Sequence, residues 1–160
     1  WQQLKREIDN WESVHLFCSP LFRCRQTAAV ICDTVGTNFE RLVYDERLKE
    51  RCFGDWQGLT DREITTQYPD AWAAREHDVW NYIISGGGEN YPALAARVSE
   101  WLDEQPANCR IVLISHGQTG RALRFRYCDL CPEEALNLPV PQNIVFRLFE
   151  GRSHSLDAVR

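Results

Sequence analysis

A chain of 160 residues that is 44% hydrophobic has material for one core and too little for two comfortable domains. Its 18 Lys+Arg against 23 Asp+Glu give a net charge of -5, which argues against a broad electrostatic grip on nucleic acid or an anionic membrane, so any anion site must be local. Seven cysteines, an odd number in a chain too large to need disulfide staples, point to a reducing, cytoplasmic setting, and no apolar run approaches the roughly 20 residues that span a bilayer.

Trp1, Leu4, Ile8 and Trp11 follow helical spacing from the first residue onward, so an N-terminally truncated domain is expected. Val14 to Cys18 is a short, mostly apolar run of the kind a buried parallel strand gives, and it stops at Ser19-Pro20. Ser19 is expected to cap a helix with Pro20 in its first turn, followed by Leu21, Cys24, Ala28, Ile31 and Val35 on a buried stripe, with Gly36 as the stop. Leu42-Val43-Tyr44 reads as a second strand, and a polar loop from Asp45 to Gly58 carries Glu50, Gly54, Trp56 and Gly58.

Thr60 and Glu63 make a capping-box pattern for a helix toward Tyr68, and residues 70–84 read as a helical insertion rich in Trp and Tyr. The two together predict a helical lid over about 60–90. Gly86-Gly87-Gly88 breaks the insertion as a flexible joint before a helix over about 91–105, with Leu94, Val98, Trp101 and Leu102 on one face. Arg110 to Ile114 is the best strand in the chain and runs into Ser115-His116-Gly117 and a helix over about 119–127. Asn143 to Phe149 and Arg152 to Val159 are expected as closing strands around a Glu150-Gly151 turn. Strands alternating with helices imply one α/β domain over residues 1–160, a three-layer α/β/α sandwich with a mainly parallel sheet. Ligands in such folds sit beyond the carboxyl ends of the strands, where Ser19 and Ser115-His116-Gly117 both fall.

His116 at a strand end beside a glycine has room for a ligand to approach closely, although a histidine there also serves simply to hydrogen-bond a loop. Arg23 lies in the first turn of a helix, where backbone N–H groups favour an anion and a guanidinium grips phosphate with two hydrogen bonds; by default it is a solvated helix arginine. Glu50, between Lys49 and Arg51, is by default a surface charge. Cys128 and Cys131 form one CxxC without the further ligands that a zinc site needs, so no metal is expected.

The order of three segments changes those defaults. Ser19-Pro20-Leu21-Phe22-Arg23-Cys24-Arg25-Gln26-Thr27-Ala28 resembles the SPLxRxxQTA segment of the histidine phosphatase (phosphoglycerate-mutase-like) superfamily. Leu48 to Gly58 resembles its L-x-E-x-x-x-G-x-W-x-G loop, Gly88-Glu89 its Gly-Glu pair before a helix, and Ser115-His116-Gly117 its second-histidine motif. The resemblance implies a phosphomonoesterase working through phosphohistidine on a small phosphate ester such as a sugar phosphate or alpha-ribazole phosphate, with a phosphoglycerate mutase or a non-catalytic anion-binding protein as the alternatives. It implies Arg23 as a phosphate clamp, His116 as a donor to the phosphoryl oxygens and Glu50 as general acid and base, with Asp55 a weaker substitute. Ser19, Gly117, Gln118 and Trp56 are then expected to line the substrate site, with Tyr82, Trp80 and Tyr91 beside Trp56 at its mouth. No cofactor is implied, and a homodimer is left open. The family's nucleophile lies in an Arg-His-Gly motif that these residues do not contain, and neither His15, His77 nor His154 has the matching context.

Overall fold

The computed structural model describes residues 2–142 and 144–156, so the expected strand ends at Asn143 and Val159 and the helix start at Trp1 lie outside the described residues. Helix α1 (Gln2–Glu7) and a 3-10 turn (Trp11–Ser13) lead into β1 (Val14–Cys18). β1 pairs in parallel with β2 (Leu42–Tyr44) on one side and with β3 (Arg110–Ile114) on the other, giving the strand order β2-β1-β3. A strand in the middle of a sheet is covered on both faces, which is why its sequence is nearly continuously apolar.

On one face, Val14, Leu16 and Cys18 pack with Leu4 of α1 and with Cys24, Ala28, Ile31, Cys32 and Val35 of α2 (Phe22–Val35). On the other, Phe17 meets Trp101 of α5 (Tyr91–Asp103) edge-on, with ring centroids 5.3 Å apart, and α5 packs against α6 (Gly117–Tyr127). The sandwich is therefore three layers, α1 and α2, the sheet, then α5 and α6. Arg41 ties the lower end of β1 to the start of β2, donating to the carbonyls of Trp11, Glu12 and Val14 at 2.8, 2.9 and 2.9 Å.

Several local expectations change. α2 starts at Phe22 with Leu21 in the cap position and no side-chain cap; Ser19 is fully buried and, within the helix start, its hydroxyl meets only Leu21 N–H, at 3.4 Å, because it faces His116 instead. The Gly36 stop is present, with φ of 77°. The Thr60–Glu63 capping box opens α3 (Asp61–Gln67), and the insertion expected over residues 70–84 forms α4 (Pro69–His77), which ends early because the Asp78 carboxylate accepts from the backbone and side chain of Asn81 and turns the chain. α7 (Pro132–Asn137) was not expected; Cys131-Pro132 with Glu134 three residues after the cap is its signal, since Glu134 accepts from Cys131 N–H at 2.8 Å. β4 (Val145–Phe149) and β5 (Arg152–Leu156) pair with each other as an antiparallel hairpin and do not extend the described parallel sheet.

The triple glycine acts as a close-packing device. Gly54, at φ 48°, carries its backbone so near Ser85 that an added Cβ would sit 1.9 Å from the Ser85 carbonyl oxygen, and Asp55 N–H donates to that same oxygen at 2.9 Å. Gly54→Ala is expected to destabilise the protein by about 1–3 kcal/mol, because both colliding partners are backbone and cannot move aside. Equilibrium unfolding in urea checks this; an unchanged midpoint would show that the loop is not held as described.

Candidate active site

The register of β1 with β3 decides which residues meet. Cys18 pairs with Ile114, and Ser19 N–H donates to the Ile114 carbonyl at 2.8 Å, so Ser19 and Ser115-His116 leave the sheet together at its carboxyl edge. His116 Nε2 lies 2.7 Å from Ser19 Oγ, and Arg23 Nε donates to His116 Nδ1 at 3.1 Å. Since Arg23 can only donate, Nδ1 is the acceptor and the neutral ring carries its proton on Nε2, toward Ser19. Two residues of the turn and helix that follow β1 and a third more than 90 positions away thus form one cluster.

Burial, followed by the positive charges of Arg23 and Arg97, pushes the His116 imidazole down to about 4. Burial foremost holds the ring neutral and the neighbouring cations add to it, whereas a phosphate dianion beside the ring would favour its charged form. Cys24 stands on the other side of the ring, its sulfur 3.4 Å from Nε2 and 3.3 Å from the Ser115 carbonyl. The sequence offered no sign of this contact beyond Cys24's place on the buried stripe.

Glu50 comes to the same corner from the β2–α3 connection. Its carboxylate accepts from Arg51 N–H at 2.9 Å, from Thr119 N–H at 3.3 Å and from Gln118 N–H at 3.5 Å, so it caps the N-terminus of α6, the helix that His116 leads into. The positive end of the helix dipole favours a carboxylate there. Gly117 opens α6, and an added Cβ would come no nearer than 3.5 Å to any neighbour, Val140 being the closest. Gln118 turns its side-chain oxygen to the Tyr91 hydroxyl, which also accepts from Arg121 at 2.8 Å.

Trp56 does not line this cluster. It is 4% exposed and packs with Ile64 and Ile84 in a separate small core under α3 and α4, where it stacks on Tyr82 with centroids 5.9 Å apart. A pocket of about 260 Å³ in that region is lined by Trp56, Arg51, Phe53, Trp72 and Arg75 among others, and none of Ser19, Arg23, Glu50 or His116 reaches it. Trp80 lies flat on Tyr91 at 5.1 Å as part of the α5–α6 packing. Aromatic content alone does not separate a substrate wall from a second core. His15, His77 and His154 lie in β1, at the end of α4 and in β5, and none contacts the Arg23–His116 pair.

With the cluster assembled from the segments named by the sequence, the match to known proteins has a structural basis. The profile of the histidine phosphatase superfamily (branch 1) matches residues 1–159. The chain belongs to this superfamily. It is 34% identical over 142 residues to phosphoglycerate mutase-like protein 4 of Arabidopsis thaliana, covering 86% of this chain and 60% of that protein. It is 28% identical over 130 residues to the 2,3-bisphosphoglycerate-dependent phosphoglycerate mutase of Sinorhizobium fredii, covering 76% and 60%. Among solved structures, the mycobacterial glucosyl-3-phosphoglycerate phosphatase in complex with inorganic phosphate superposes with a TM-score of 0.65 at 28% identity, covering 89% of this chain and 74% of that one. The chain thus spans about 60% of the length of the two curated relatives. No helix among the described residues is long and apolar enough to cross a membrane.

The depressed imidazole gives a signed prediction. His116 titrates near 4 in the folded protein against about 6.5 when unfolded, so the unfolded chain binds the extra proton between those values. Its contribution is fully present above pH 6.5 and is lost as pH falls toward 4. His116→Gln should therefore flatten that part of the stability–pH curve. Binding of sulfate, a phosphate analogue that does not itself titrate near neutrality, should conversely take up protons, as titration calorimetry in two buffers of different ionisation enthalpy would reveal; proton-neutral binding would separate the anion from His116.

Proposed function

We propose that this protein hydrolyses phosphate monoesters of small metabolites, such as a sugar phosphate or alpha-ribazole phosphate, through a phosphohistidine intermediate. The observation that carries the reading is the meeting of Ser19, Arg23 and His116 at one strand edge, with the Glu50 carboxylate beside them at the start of α6. Arg23 and His116 supply donors for the equatorial oxygens of a phosphoryl group in flight, where charge spreads as the bond loosens. When the ester arrives, Arg23 gives up its bond to Nδ1 for the phosphate, and His116 gains a proton and becomes a cationic donor.

The nucleophile in this reading is a second imidazole, in the Arg-His-Gly turn that the family places at the end of a strand. β3 has an unpaired edge among the described residues, and its Ile111, Val112 and Leu113 are only half-buried there. A further parallel strand on that edge would cover these residues and deliver its carboxyl end beside His116. In the first step an N–P bond forms as the ester P–O bond breaks, and the departing oxygen takes a proton from Glu50. Water then attacks phosphorus, gives its proton to the Glu50 carboxylate and releases orthophosphate with the imidazole restored.

Return transfer to a second hydroxyl is the alternative, and the similarity to the mutase of Sinorhizobium fredii favours it. A mutase must keep its phosphoenzyme from water long enough to rebind the intermediate. The stretch from Trp56 to Gly88 forms only two short helices, of 7 and 9 residues, and this compact cover supports hydrolysis. Seven cysteines, none of them in a disulfide, support a reducing compartment, and we place the protein in the cytoplasm.

In the full-length protein, Arg23→Ala and His116→Ala are each expected to lower kcat/KM by about 10²–10³-fold without unfolding it. Glu50→Gln should slow alkyl phosphates by about 10²–10⁴-fold while sparing much of the rate on p-nitrophenyl phosphate, whose leaving group needs little protonation. Near-normal turnover in either of the first two variants would refute the site, and equal losses on both substrates in the third would remove Glu50 from its role.

A further inference from the structure

Glu50 sits in an irregular stretch between two single 3-10 turns, Glu46–Leu48 and Gly54–Trp56, yet proton transfer requires its carboxylate to be held within a fraction of an ångström of the reacting oxygen. On one side α6 holds it, with Thr119 Oγ1 donating to the Lys49 carbonyl at 2.7 Å and the backbone of α6 donating to the Glu50 carboxylate; on the other side an ion pair does. Arg97, on the second turn of α5, makes a fork with Glu89, Nε to Oε1 at 2.7 Å and Nη2 to Oε2 at 2.9 Å. The same guanidinium donates to the Glu50 carbonyl at 3.2 Å and to the Arg47 carbonyl, and so grips the loop at the acid itself and three residues before it.

Glu89 holds the other side. Its Oε2 accepts from Cys52 N–H at 3.0 Å, its backbone N–H donates to the Cys52 carbonyl at 2.9 Å, and its carbonyl accepts from Arg51 Nε at 2.8 Å. Burial opposes ionisation of Glu89, but the Arg97 fork, the Cys52 N–H and the charges of Arg97 and Arg51 outweigh it and hold its carboxyl below the usual carboxylate range. The two side chains are about four-fifths covered, at 19% and 22% exposure, so the pair is shielded from the water and salt that make surface pairs nearly worthless.

We propose that the Glu89–Arg97 pair sets the position of Glu50, with Arg97 as a positioning residue for proton transfer. The pair touches the loop on both sides of Glu50 and leaves the carboxylate free to face α6. Because Glu89 follows directly on Gly86-Gly87-Gly88, which packs against the Gly54–Asp55 turn, the covering segment and the acid are fastened at the same point.

This inference rests on Glu50 being the general acid, and its test separates the two. Arg97→Lys in the full-length protein keeps the charge but loses the fork, and Glu89→Gln removes the carboxylate's charge and one of its two acceptor oxygens; either serves if the other fails to fold. Each is expected to lower kcat on an alkyl phosphate about tenfold more than kcat on p-nitrophenyl phosphate. In a Glu50→Gln background the same substitution should change the alkyl phosphate rate by less than about twofold, because its effect runs through a carboxylate already gone. Equal loss on both substrates, or a tenfold loss that persists in the Glu50→Gln background, would show a general structural role and overturn the proposal. If Glu50→Gln alone fails to discriminate between the substrates, the acid assignment falls and this inference falls with it.

Discussion

The parallel pairing of β1 with β3 is the constraint on which the rest depends. It sets Cys18 opposite Ile114, and in a parallel pair both strands release their next residues at the same edge. Ser19 and Ser115-His116 are therefore neighbours although 97 residues separate Ser19 from His116. A slip of one residue would turn every side chain of β1 to the opposite face, trading Val14, Leu16 and Cys18 for His15 and Phe17 against α2. The apolar content of both faces would tolerate part of that exchange, but His15 would be driven into the helix-covered layer, and this fixes the register.

From that edge the site is built outward by two helices and one loop. α2 carries Arg23 and Cys24 to the His116 ring, and α6 offers its first N–H groups to Glu50. The loop is held from two sides, by Thr119 of α6 at the Lys49 carbonyl and by Arg97 of α5 with Glu89 at the Glu50 carbonyl and Cys52. Chemistry and stability are thus divided. The sheet and the α1–α2 layer give the fold its main core, while the α5 layer fixes where the acid stands.

Much of this was legible in the sequence, because the strongest local signals coincide with the elements that matter. Val14 to Cys18 and Arg110 to Ile114 read as strands from their apolar runs, and Arg23, Glu50 and His116 stood out in three motifs whose order fits one fold. What was not legible depended on tertiary competition. Ser19 has the chemistry of a helix cap, but a buried hydroxyl 2.7 Å from an imidazole serves the imidazole instead. Trp56 has the chemistry of a pocket wall, and its neighbours Ile64 and Ile84 take it into a second core that no periodicity announces. Arg97 occupies an ordinary helical position, and only the fold shows that its fork closes on Glu89 and the Glu50 carbonyl.

The claim that most of the account rests on is that Ser19, Arg23 and His116 form one phosphate site, and a crystal structure of the full-length protein with orthophosphate tests it most directly. The account predicts that the anion breaks the 3.1 Å bond between Arg23 and His116, with its oxygens on the guanidinium, the imidazole and the Ser19 hydroxyl. A phosphate seated between Arg51 and Arg75, with the Arg23–His116 bond intact, would contradict it.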